Sequence, residues 1–196
     1  MMCAAVKLLL DILQGAGLAT AAGIRPFLPA LLAGALASAN LGLDFDGTQF
    51  AFLESPVFLL VLAVALVVTF LLRGHFESGA GEAALAGVGI GLGALLFAGS
   101  LDDRFDTWWP GVPAGIACAL LASVATRALL HRVRGRLDPE ARAALPLYPE
   151  GAAAILAGAA VLAPPLSLVG IAFLAFLQRG GKRRAGEKYA GLRILR

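Results

Sequence analysis

The chain has 196 residues, of which 59% are hydrophobic and only 15% are charged, with a formal net charge of +3 and a mean hydropathy of +0.83. Soluble domains carry about 25% charged residues, so this composition excludes an ordinary soluble domain and is typical of a multi-pass membrane protein. The longest polar intervals, near 130–149 and 179–196, are too short to bury a core of their own, so a single membrane domain over 1–196 is expected.

The first apolar stretch, 4–40, is interrupted near its middle by Pro26 and Pro29. A proline removes a backbone donor and clashes with the preceding helical turn, so the stretch is predicted to form a broken helical hairpin with halves near 4–22 and 26–39. Freed backbone groups persist in a bilayer only where protein or a wet cavity satisfies them. The break therefore indicates a binding site close to the membrane midplane.

Three clear transmembrane helices are predicted next, over 56–73, 83–101 and 112–130. The second of them is rich in glycine, and Gly87/Gly91 and Gly89/Gly93 each form a small-xxx-small pair that lets another helix backbone come close. We expect this Gly87–Gly93 segment to support either packing within the chain or a homo-oligomer.

A second broken stretch, 151–178, carries Pro164 and Pro165 at its centre. A full crossing needs about 20 helical residues, and each half here is shorter than that. A re-entrant hairpin, or two short tilted crossings, fits the segment better than two ordinary spans.

The basic residues orient these segments. The intervals 73–82, 131–150 and 179–196 hold twelve Lys or Arg, whereas 41–54 and 101–109 hold one. The positive-inside bias places the first three in the cytoplasm, together with the C-terminus, and the other two outside. The two hairpins then enter from opposite sides, which predicts an all-α polytopic fold with three transmembrane helices and two proline-broken hairpins in inverted orientation.

Arg25 is the leading candidate for a binding residue, because it lies where the first helix must break, and its neighbours Gly23 and Pro26 are candidates with it. A charge inside a membrane segment costs about 2.5–3.5 kcal/mol on insertion scales and is usually retained for pairing or function. With the N-terminus of the following helix, Arg25 can form a cradle for an anion. Alternatively, Arg25 lies at the interface and extends to lipid phosphates.

Lys7, Asp11 and Gln14 share one face of the first helix, which we expect to point into the bundle. Asp11 is a candidate proton-coupling carboxylate or counter-ion of Arg25, with a structural Lys7–Asp11 pair as the alternative. Gln14 is a candidate substrate-binding residue, as is Ser167, which closely follows the second proline pair.

The sequence gives little support for a metal site, a cofactor or catalysis. Glu150 is interpreted as a helix-start carboxylate. His75 and His131 have no cysteine or carboxylate at ligand spacing, so we expect no metal site and no cofactor. We find no catalytic motif and expect no enzyme.

The tail, 179–196, is expected to bind anionic lipid headgroups or to serve only as a topogenic signal, and nucleic-acid binding is not expected.

Three short segments carry a family resemblance: Gly-Ile-Arg-Pro-Phe-Leu-Pro at 23–29, Leu-Glu-Ser-Pro at 53–56 and Glu-Lys-Tyr-Ala-Gly-Leu-Arg at 187–193. They resemble a family of small bacterial integral membrane proteins catalogued only as a domain of unknown function. The resemblance implies a multi-pass protein of the bacterial plasma (inner) membrane and no particular activity. From the residues, we expect a small transporter, flippase or channel for an anion or a phosphate-bearing lipid, or else a non-transporting membrane scaffold or assembly partner.

Overall fold

The computed structural model describes residues 2–72, 79–105, 107–134, 138 and 144–176. All regular structure in these residues is helical, which confirms the predicted all-α class. The helices are α1 (Met2–Ile24), α2 (Phe27–Ser38), a short 3-10 helix (Ala51–Glu54), α3 (Pro56–Leu71), α4 (Gly79–Phe105), α5 (Gly111–Arg134), α6 (Leu147–Leu162) and α7 (Pro165–Phe176). The basic tail, 179–196, and His75 lie outside the described residues.

Three of the described helices are long and apolar enough to cross a membrane, namely α1 over Val6–Ile24, α4 over Gly79–Asp102 and α5. Helices α4 and α5 match the predicted spans 83–101 and 112–130, whereas the third long apolar helix is α1 and not the predicted span 56–73. Helix α3, which begins that predicted span, has 16 residues and extends about 24 Å. Helix α1, predicted as the half 4–22 of the first hairpin, has 23 residues and is long enough to cross a membrane by itself.

The first break lies at Arg25 and Pro26, between α1 and α2. Pro26 is the N-cap of α2, and Pro29 lies in its first turn. The N–H groups of a first turn have no acceptor within the helix, so a proline there costs no intrahelical hydrogen bond. Of the two prolines, only Pro26 therefore marks the break.

The second break turns the chain back on itself, as predicted. Helix α6 ends at Leu162 and α7 begins at Pro165, where proline's fixed φ suits a first helical position. Gly170 of α7 faces Leu156 of α6 so closely that a Cβ on Gly170 would lie 2.5 Å from the leucine side chain. These two positions are almost equally far from the break, so α6 and α7 form an antiparallel hairpin.

The two hairpins are inverted relative to each other, which confirms the predicted arrangement. Helix α6 runs antiparallel to α1, with Glu150 beside Arg25 and Ser167 beside Leu13. Between these ends, a Cβ on Gly17 would lie 2.6 Å from Ala160. The tip of each hairpin therefore lies against the base of the other.

Helix α4 packs against α1 and α5 through one of its two glycine pairs. A Cβ on Gly89 would lie 2.6 Å from the Ala22 carbonyl oxygen, and one on Gly93 would lie 2.8 Å from the Ala119 methyl group. Among the described residues, nothing lies within 4 Å of such a Cβ at Gly87 or Gly91. The Gly89/Gly93 pair is thus the packing face, and the other pair points away from the described bundle.

The segment between α2 and α3 folds over one end of the bundle. Phe45 and Leu53 are fully buried in it, and the Phe50 ring meets Trp108 edge to face, with ring centroids 6.3 Å apart. The backbone N–H of Gln49 donates to Asp102 at 3.3 Å. The two acidic intervals, 41–54 and 101–109, therefore meet at the same end of the molecule.

Three carboxylates of that end, from Asp44, Asp46 and Glu54, have oxygens within 4.8 Å of one another. Two of them serve the backbone of the loop. Glu54 accepts a hydrogen bond from the Phe45 N–H, and Asp44 accepts one from the Asp46 N–H at 2.9 Å. We therefore interpret the group as loop-stabilising carboxylates.

Candidate functional site

Arg25 lies at the tip of the first hairpin and is largely buried there. Its N–H still donates to the Ala21 carbonyl at 3.1 Å, so the last turn of α1 fixes the start of its side chain. Gly23 allows α1 to approach α5, because a Cβ at this position would lie 2.3 Å from the Ala119 carbonyl oxygen. This close approach brings Arg25 beside the end of α5.

The ion partner of Arg25 is Glu150, in the first turn of α6. Arg25 Nε lies 3.4 Å from Glu150 Oε1, with the two side chains 19% and 26% exposed. Within the described residues, the buried Arg25 Nε and Glu150 Oε2 atoms make no hydrogen bond. Buried polar groups are nearly always hydrogen-bonded, so this pair retains capacity for a further polar ligand.

Asp11 is not that partner. It lies on the same helix, about 21 Å before Arg25 along the helix axis at 1.5 Å per residue. The counter-ion role considered for Asp11 is therefore wrong.

The predicted depth of Arg25, near the membrane midplane, stays a prediction. Helix α1 is about 34 Å long for its 23 residues, comparable to the roughly 30 Å hydrocarbon core of a bilayer. Arg25 follows the last residue of this helix. Two residues earlier, Gly23 packs against Ala119, near the middle of α5, and the surroundings of Arg25 extend from there to His131 and Arg134 in the basic last turn of α5.

A cleft of about 70 Å³ opens beside Arg25, between the end of α1, the start of α4 and the end of α5. Arg127 and Arg134 line it, together with Glu82. Arg127 Nε lies 3.5 Å from Glu82 Oε1, and Arg127 Nη2 lies 3.4 Å from the Glu82 carbonyl oxygen. Three guanidinium groups and one carboxylate thus lie in the wall of this cleft, and Ser123, Thr126 and His131 complete its polar part. We call this the basic cleft.

A second cleft, of about 340 Å³, lies on the other side of Arg25. Its wall is mostly apolar and comes from α2, α3, α4 and the start of α6, with Phe27, Val67 and Phe70 among its residues. Both clefts include Arg25, Pro26 and Leu85 in their walls, so they meet at the arginine. We call the second one the apolar cleft.

The remaining candidates lie near the middle of α1. Gln14 Nε2 donates to the Gly42 carbonyl at 2.7 Å, and the Ser167 hydroxyl lies 2.7 Å from the Leu13 carbonyl oxygen and 2.6 Å from that of Pro164. Asp11 is buried in the same part of the helix, whereas Lys7 is exposed. The six candidate residues thus form two groups: Gly23, Arg25 and Pro26 at the clefts, and Asp11, Gln14 and Ser167 at the tip of the second hairpin.

The site also contains four residues that were not predicted from the sequence: Glu82, Glu150, Arg127 and Arg134. Glu150 had a signal, because inverted hairpins place the tip of one beside the start of the other. Arg132 and Arg134 of α5 were used only to orient the chain. Their position in the last turn of a long helix also places basic residues close to the end of α1.

A family model described as a domain of unknown function (DUF4126) matches residues 12–179, which is most of the chain. The match includes α2 to α7, both clefts and both proline breaks. No curated protein and no solved structure matches the sequence.

Proposed function

Because the chain belongs to the DUF4126 family, whose function is unknown, we propose a function from the geometry: it carries an anion, or a lipid with a phosphate head, through the membrane. The observation that supports this most is the placement of Arg25. A largely buried guanidinium with an unused Nε–H lies between a basic cleft and an apolar one.

The charges of the basic cleft favour an anion. Its wall carries the guanidinium groups of Arg25, Arg127 and Arg134, and the carboxylates of Glu150 and Glu82 pair with the first two. The cations therefore outnumber the carboxylates among these five groups, and a surplus of one sign of charge concentrates ions of the opposite sign. A guanidinium also matches the geometry of phosphate oxygens, with two parallel N–H donors. We therefore favour phosphate-like anions over monovalent spherical ones.

Glu150 gives the site a release mechanism. An anion that approaches Arg25 competes with the Glu150 carboxylate for the same guanidinium. Since this pair joins the tip of the first hairpin to the base of the second, displacing Glu150 loosens one of the contacts between the hairpins. The contacts farther along α1, from Gly17 to Ala160 and from Leu13 to Ser167, stay in place and serve as the pivot.

The orientation of the chain in the membrane is part of the proposal. The positive-inside bias places the end with Arg25 and Arg134 at the cytoplasm, and the acidic loop between α2 and α3 outside. The motif resemblance favours the bacterial plasma membrane. The basic tail, 179–196, would then lie at the cytoplasmic surface and attract anionic headgroups.

One observation favours a second candidate function, a membrane scaffold or homo-oligomer. In the described part of the chain, no neighbour lies within 4 Å of a Cβ at Gly87 or Gly91, and small residues of this spacing let helices associate in membranes. Crosslinking of cysteines placed at these two positions, in native membranes, tests this alternative.

Binding of inorganic phosphate to the purified protein tests the leading proposal. Arg25→Gln should abolish binding, and Arg25→Lys should weaken it because the planar fork is lost. Glu150→Gln should tighten binding, because it removes the competing carboxylate. Arg132→Gln is the matched control, since Arg132 is exposed and donates to its own helix at Ala128. If all four variants bind like the parent, Arg25 is only an interfacial anchor and the proposal fails.

A further inference from the structure

We propose that the anion received at Arg25 is the phosphate head of a lipid, and that one aliphatic chain of this lipid lies in the apolar cleft. The inference rests on the proposed function and narrows it, because a free anion would need only the basic cleft.

The two clefts meet at Arg25. Arg25, Pro26 and Leu85 belong to the walls of both, so a head bound at the guanidinium has the apolar cleft directly behind it. Pro26 and Pro29 have no N–H, so the donors of the first turn of α2 come from Phe27 and Leu28, which line the apolar cleft. Apart from Arg25, Glu150 and Thr69, the side chains that line the apolar cleft are apolar. The recess therefore changes from charged near Arg25 to apolar farther away, which complements an anionic head followed by an aliphatic chain.

The size and the lining of the apolar cleft fit one aliphatic chain. Its volume of about 340 Å³ lies at the small end of the range of roughly 300–1,000 Å³ typical of ligand pockets, which suits one chain. Leu66, Val67 and Phe70 of α3 form one wall, and Phe27 and Leu28 of α2 form another. An aliphatic chain placed there contacts apolar side chains.

The apolar cleft has exposed residues in its wall, through which a lipid can enter. Val67 is 55% exposed and Leu71 is 74% exposed, although both line the apolar cleft. Because α3 is an apolar helix at the edge of the bundle, this exposure faces the bilayer, so the cleft opens sideways. A lipid can therefore enter without leaving the membrane, whereas a free anion has to enter through the basic cleft.

The test compares three probes on the full chain in nanodiscs of zwitterionic lipid. The probes are a lysophosphatidate, inorganic phosphate, and a lysophosphatidylcholine with the same acyl chain. We expect the lysophosphatidate to bind roughly tenfold or more tightly than inorganic phosphate, since a buried aliphatic chain adds to the charged contact. The lysophosphatidylcholine should compete weakly, because its phosphate carries a bulky cationic group.

Two matched pairs of variants locate the head and the chain. Arg25→Gln should weaken lysophosphatidate and phosphate alike, and Arg132→Gln should weaken neither. Val67→Trp fills the apolar cleft and should weaken lysophosphatidate about tenfold or more while leaving phosphate unchanged. Val64→Trp is its control, because Val64 lies one turn earlier, is also 55% exposed and is not part of the cleft wall.

The outcomes separate the two proposals. If phosphate binds through Arg25 but lysophosphatidate binds no more tightly and ignores Val67→Trp, the lipid inference is overturned and the anion site remains. If neither probe binds in an Arg25-dependent manner, the proposed function fails and the inference fails with it. If Val64→Trp weakens lysophosphatidate as much as Val67→Trp, the chain does not lie in this cleft.

Discussion

Replacing single glycines of α4 by alanine should have opposite effects at neighbouring positions. At Gly89 a Cβ would lie 2.6 Å from the Ala22 carbonyl oxygen, which belongs to the backbone of α1 and cannot rotate away. Overpacking of this kind costs about 1–3 kcal/mol. At Gly91 nothing lies within 4 Å, so alanine brings only its helix propensity, which favours it over glycine by about 1 kcal/mol.

The difference between the two variants isolates the packing cost, because the propensity gain is common to both. For a chain of 196 residues, 1 kcal/mol corresponds to roughly 2–4 °C in melting temperature. We expect Gly91→Ala to melt about 2–4 °C above the parent, and Gly89→Ala to melt about 2–12 °C below Gly91→Ala. Thermal unfolding of the purified protein, followed by tryptophan fluorescence, measures both. The reverse order would mean that α4 is rotated and that Gly87/Gly91 is the packing face.

Three further predictions concern the ends of the bundle. Arg25→Gln should lower the free energy of unfolding by about 1–3 kcal/mol, because it leaves Glu150 largely buried without its cation. Glu150→Gln in the same chain should restore part of this free energy, and additive effects in the double-mutant cycle would contradict the pairing. Phe45→Ala should cost about 3–5 kcal/mol by opening a cavity under the loop, and the exposed Phe52 is the control position, where an equal loss would contradict the burial of Phe45. Ser167→Ala should cost about 1 kcal/mol and raise the protease sensitivity of the second hairpin, and an unchanged digestion pattern would argue against its contact with Leu13.

The hairpins could be predicted because their signals are local. A proline pair inside an apolar stretch has only one common consequence in a helix, so both breaks were found at or next to the right residues. The inversion followed from the charges at the segment ends, and the structure agrees by placing Glu150 beside Arg25 and Ser167 beside Leu13.

The packing face of α4 and the fold of the acidic loop were not predicted, because both depend on contacts between residues that are distant in the sequence. Gly87/Gly91 and Gly89/Gly93 have the same spacing and composition, so only the neighbouring helices decide which pair faces inwards. Folding of the acidic loop around Phe45 has no periodic signal at all.

The most direct test of Arg25 as the anion-receiving group is lipid translocation in proteoliposomes. A fluorescent lysophosphatidate is supplied to one leaflet, and its movement to the other is followed by chemical quenching from outside. The parent protein and Arg132→Gln should both accelerate the movement, whereas Arg25→Gln should leave it at the rate of protein-free liposomes. Translocation by Arg25→Gln at the rate of the parent would contradict the account.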